Sequence, residues 1–198
     1  MENKYTYAVA LVGVLLIASF FIFRNTGENK TVNNGSHMMP DGTMMSNNAH
    51  ESMSVGNDEE FIKGMIPHHE EAVVTAQEVL ARGGSFPEIK TLAENIVTSQ
   101  TAEIGQMKKW HEDWFGASYM SDDSYEPMMR DLASLSGADL DKVFLEDMVM
   151  HHMGAVMMAE QALSFSKREE IRNLSNAIIK AQNTEIALMQ GWLKNKFK

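Results

Sequence analysis

The chain has 198 residues, 44% of them hydrophobic and 22% charged, with a net charge of -10; this bounds it to about one ordinary globular domain plus terminal additions. The acidic balance lacks the clustered Lys and Arg that phosphate neutralisation needs, which argues against nucleic acid as a partner. With no cysteine, disulfides, thiolate nucleophiles and Cys-ligated metal sites are excluded, whereas 17 methionines supply sulfur as thioether, more than gap filling in a core usually takes.

Residues 5–23 are a 19-residue run without charge. At about 1.5 Å per residue it reaches roughly 28 Å, the thickness of a bilayer core. No small-x-small cleavage site ends the run, so residues 1–24 read as an uncleaved transmembrane anchor. Lys4 and Arg24 balance each other across it. The expectation that the rest of the chain faces the periplasm or cell exterior therefore comes from the export-type segment itself.

Residues 25–57 are rich in Asn, Gly, Ser and Thr without an apolar period, and read as a flexible linker. The linker carries His37, Met38, Met39, Met44 and Met45, then His50 and Met53. These are auxiliary soft-metal ligands on a mobile arm, or compositional drift in a tether with no core to fill.

From Asp58, the predicted N-cap, the period becomes helical. Phe61, Met65, His68, His69, Ala72, Ala76 and Leu80 form one stripe, ended by Gly83 and Gly84. Pro87 suits the first turn of a second helix. That helix sets Ile89, Leu92, Ile96, Gln100, Glu103, Ile104, Met107 and Trp110 on one face and closes at Gly116. A connector follows, with a short helix expected around residues 128–135. Phe144, Met148, His151, His152, Ala155, Ala159 and Leu163 then repeat the first stripe at an offset of 83, and Gln182, Glu185, Ile186, Met189 and Trp192 repeat the second at 82. This is an internal duplication of a helical hairpin. Neither hairpin can cover its own stripe, so the fold class is all-α, a four-helix bundle over residues 58–198 with an approximate twofold axis.

At roughly 100° per residue, Met65, His68 and His69 share the inward arc of Phe61, and Met148, His151 and His152 that of Phe144. One reading makes Met65, His68, Met148 and His151 metal ligands, with His69 and His152 as further ligands or orienting groups. Glu103 and Glu185 then accept from the imidazole nitrogens that face away from the metal. The alternative is that Glu and Gln simply hydrogen-bond buried histidines and hold the hairpins together. Where di-iron bundles carry Glu-x-x-His, this chain has Met65-Ile66-Pro67-His68 and Met148-Val149-Met150-His151. A thioether in place of a carboxylate points to Cu(I) or Ag(I) rather than iron. Met158 lies on the His151 side of its helix and is a further candidate metal ligand. Met150, Met153 and Met157 form a separate stripe, read as packing, a partner face or a second soft-metal site.

The duplicated Phe-x-x-x-Met-x-x-His-His-x-x-Ala-x-x-x-Ala, followed by Glu-x-x-x-Met-x-x-Trp, resembles the domain of unknown function 305, a ferritin-like helical family. The resemblance implies an extracytoplasmic four-helix domain, and some members bind copper through Met and His and take part in copper resistance. It carries a copper role to Met65, His68, His69, Met148, His151, His152 and Met153. The expected function is sequestration, transfer or resistance toward copper as Cu(I), without catalysis. A copper-donor or acceptor protein and a second copy of the chain are compatible partners. The alternatives are a ferritin-like metal-dependent oxidase and a metal-free helical interaction module.

Overall fold

The computed structural model describes residues 53–121 and 125–197. The expected anchor and His37, Met38, Met39, Met44, Met45 and His50 lie outside the described residues. Among the described residues the chain is all-α, with no strand: α1 is Asp58–Arg82, α2 Pro87–Phe115, α3 Gly137–Phe165 and α4 Glu169–Lys196. None of these helices is long and apolar enough to cross a membrane.

The helix ends follow local chemistry, with one shift from expectation. Asn57, not Asp58, caps α1, because its side-chain oxygen accepts from Glu60 N at 2.9 Å while Asp58 already has helical geometry. Pro87 opens α2, and Gly116, at φ 74°, closes it in the left-handed region.

The helix expected at residues 128–135 does not form. Its backbone groups are taken by side chains: Glu71 accepts from Met128 N and Met129 N, Asp147 from Arg130 N, and the Arg82 guanidinium donates to the carbonyls of Leu132, Ala133 and Leu135. These bonds satisfy the connector in an irregular path, so no helical ladder is needed.

α1 packs on α2 and α3 on α4, and the two hairpins meet along α1 and α3. The buried apolar side chains fall into two clusters. One gathers Phe61, Met65 and Ile66 of α1 with Ile104, Met107, Ala155, Met158, Ile171 and Ile178. The other gathers Ala72, Ala76 and Val79 with Ile89, Ile96, Phe144, Met148, Ile186 and Met189. Along every helix a polar layer separates the two, made of His68 and His69, Gln100, His151 and His152, and Gln182. Aspartates in equivalent positions lock each hairpin to the other's loop. Asp141 accepts from Gly84 N and Ser85 N at 2.6 and 2.7 Å, and Asp58 meets Arg168 at 3.2 Å.

Candidate metal centre

The contact between α1 and α3 lays the His68 and His151 rings against each other, with centroids 3.7 Å apart and planes at 33°. The next residue on each helix turns toward its own hairpin partner. His69 Nε2 meets Glu103 Oε2 at 2.7 Å, and His152 Nε2 meets Glu185 Oε2 at 2.6 Å. A carboxylate on Nε2 holds the proton there and leaves Nδ1 as a lone pair.

All four histidines are at most 1% exposed. Both ring nitrogens of His68 and His151, and Nδ1 of His69 and His152, lack a hydrogen-bond partner. Each unsatisfied buried polar atom costs about 1–3 kcal/mol. These six are the majority of the eleven buried polar side-chain atoms that lack a partner among the described residues, and their gathering in one layer points to a ligand. The atoms are imidazole nitrogens, which suit copper and other late transition metals.

The two repeat methionines keep the twofold relation, and the remaining ones break it. Met65 lies in the first apolar cluster and Met148 in the second, on either side of the histidine layer. Met158 lines a surface cleft together with His68, Met53 and Met128. Met150, Met153 and Met157 are half-buried against the first cluster, Met153 touching the second as well. Among the described residues no three His, Asp or Glu side chains gather closely enough to hold a metal ion. Beside His68 the further donors are the thioethers of the cleft, which favour a soft ion, whereas beside His151 stands the Glu71 carboxylate.

The domain of unknown function family DUF305 matches residues 23–111 and 58–193. The chain belongs to this family. CopM in its Cu(I)-bound form is 34% identical with a TM-score of 0.65, over 72% of this chain and 99% of that one. CopM has also been solved in a silver-bound form, 34% identical at 0.65 over 72% and 98% of the two chains. A DUF305 fragment from Deinococcus radiodurans is 28% identical with a TM-score of 0.60, over 69% of this chain and 95% of that one. No protein with a curated description matches the chain.

In this DUF305 protein the two stacked imidazoles, His68 and His151, are disfavoured as cations by their surroundings. Burial, and then the neighbouring His151, His69 and His152, push His68 well below the usual imidazole value of 6.5. Burial also lowers His151 despite Glu71 beside it. The unfolded chain therefore binds more protons than the folded one once pH falls below about 6.5, and stability must drop with pH there. The metal-free protein should show a flat melting temperature above pH of about 7 and a steady decline below pH of about 6. The double variant His68→Leu/His151→Leu should flatten that decline. A wild-type profile flat through the imidazole range would contradict it.

Several contributors were not visible as such in the sequence. Glu71, 12% exposed, accepts from the Tyr125 hydroxyl, Met128 N and Met129 N, and its Oε2 lies 3.3 Å from His151 Nε2 outside hydrogen-bond alignment. Burial raises its carboxyl, but the adjacent His151, the Tyr125 hydroxyl and the Met129 amide outweigh this and hold it below the usual value. Tyr125 is pushed up in turn by burial and by Glu71. The available signal was the mismatch of Glu71 with Gly154 within the repeat. His111 sits apart from the layer, Nδ1 on Ala117 O at 2.8 Å, where it fastens the end of α2.

Proposed function

We propose that this DUF305 protein binds Cu(I) or Ag(I) as cargo, outside the cytoplasm and tethered by its N-terminal segment, and sequesters or hands over the ion without turnover. The observation that carries the reading is the buried layer of four histidines, in which six ring nitrogens make no aligned hydrogen bond. Thioether sulfur next to it, a sequence without cysteine, and no carboxylate cluster among the described residues favour a soft monovalent ion over iron. The likeness to CopM, solved with Cu(I), Cu(II) and silver, supports the same class of ligand. Because the thioether carries no proton, part of the affinity should persist where histidine ligands are protonated. Sequestration, transfer to a partner protein and copper resistance are uses of one such site.

The test is a Cu(I) competition titration of the full chain in mild detergent. Changing His68, His69, His151 and His152 to Ala should weaken binding at least on the order of 100-fold, since loss of groups that merely orient ligands already costs 10–100-fold. His68→Leu/His151→Leu, which refills the space, guards against a folding artefact, with melting curves run on both. Unchanged affinity in a folded four-histidine variant would remove the assignment.

A further inference from the structure

The two halves of the repeat differ beside the stacked imidazoles. Glu71 and Gly154 occupy equivalent positions at the offset of 83. Glu71 attends His151, as described above. Gly154 attends His68, and there the space is filled by a thioether from outside the four helices. A Cβ on Gly154 would stand 2.3 Å from Met53 Sδ and 3.1 Å from His68 Nε2. Glycine inside a helix is unfavourable relative to alanine, so its presence in the middle of α3 has a use. That use is to let the Met53 sulfur reach the neighbourhood of His68 Nε2.

Met53 is held in this position. It is 3% exposed, and the residues after it are fastened to the bundle by Val55 N on Gln161 Oε1 and Gly56 N on Glu60 Oε2, both at 2.8 Å. On the opposite wall Glu71 pins the Met128 amide, and the Tyr125 ring lies 6.5 Å from that of His68. Between the walls is a cleft of about 270 Å³ lined by Met53, His68, Tyr125, Met128 and Met158. Exposed Glu60, Glu126 and Lys63 also line it, a net negative rim that favours entry of cations. His68, 1% exposed and unpartnered at both ring nitrogens, is the buried polar group at this cleft.

We infer that the soft cation is captured at this cleft, with Met53 Sδ and His68 Nε2 as founding donors and the Met128 and Met158 thioethers completing the set for Cu(I) or Ag(I). The equivalent place at His151 is closed by Glu71, so the duplicated fold carries one open thioether half-site and one carboxylate-capped half-site. This rests on the soft-metal reading above and adds which half captures the ion and which residues outside the repeat motif do so.

The experiment uses the full chain, loaded with Cu(I) in competition with a chromophoric chelator, with sulfur scatterers counted by X-ray absorption. Met53→Leu keeps the volume and removes the thioether. Gly154→Ala keeps the thioether and pushes it aside, but its Cβ, 3.1 Å from His68 Nε2, also presses on the imidazole, so melting curves accompany it and Met53→Leu is the deciding variant. Each should weaken the tightest Cu(I) binding on the order of tenfold or more and remove one sulfur from the coordination shell. Met189→Leu, a buried methionine of the second cluster, should change neither. If Met53→Leu and Gly154→Ala bind as wild type while the four-histidine variant does not, the cleft site is wrong and the soft-metal reading stands. If the four-histidine variant also binds as wild type, both fall.

Discussion

Asp141→Ala should destabilise the protein by about 3 kcal/mol, the loss of two backbone-to-carboxylate hydrogen bonds. Asp141 has no exposed surface and receives two backbone donors, Gly84 N and Ser85 N, from the loop of the other hairpin. Hydrogen bonds to a charged acceptor are worth roughly 1.5–3 kcal/mol each. Removing the carboxylate also leaves a gap against Gly83, where an added Cβ would lie 2.7 Å from Asp141 Oδ1. Asp58→Ala, at the equivalent position in the other half, breaks a partly exposed pair with Arg168 and should cost under about 1 kcal/mol. Urea melts of the two variants compare the same residue type at two related positions. Equal losses would mean that burial does not govern this contact.

Glu71→Ala should cost about 3 kcal/mol and loosen residues 125–130. Three donors converge on this carboxylate, two of them the amides of consecutive connector residues. No other side chain accepts from Met128 N or Met129 N among the described residues. Hydrogen exchange at those two amides should accelerate, and the Tyr125 phenol should titrate closer to its ordinary value of 10 once the anion is gone. Glu71→Gln, which keeps one acceptor oxygen, should fall between the two. Unchanged protection at Met128 and Met129 in the Ala variant would show that the connector is held by Arg82 and Asp147 alone. The residue matters to the candidate site because the same carboxylate stands beside His151 and fixes one wall of the cleft at His68.

The repeat made most of the fold legible. A stripe of Phe61, Met65, His68, His69 and Ala72, copied at Phe144 through Ala155, states helix, inward face and pairing at once, because helical period is a local property. The same periodicity picked out Glu103 and Glu185, and the structure pairs them with His69 and His152. It could not choose between adjacent histidines, since His68 and His69 lie only about 100° apart on one helix and the choice depends on where α2 runs. The connector's composition permits the short helix that the structure does not form. Its actual path depends on Glu71 and Asp147, distant residues whose side chains take up its backbone amides.

By itself, then, the chain's pattern determined four helices in two related hairpins, a buried histidine layer, and sulfur available only as thioether. Tertiary structure alone decided that His68 stacks on His151, that Met65 and Met148 fall into separate apolar clusters, and that Met53 reaches the site through the space left at Gly154. The division has a physical cause. Spacing along one helix fixes which side chains share a face, but a metal site needs atoms within a few ångströms of one another across helices. That distance is set by the packing of α1 on α3, where the absence of a single Cβ changes what fits beside an imidazole.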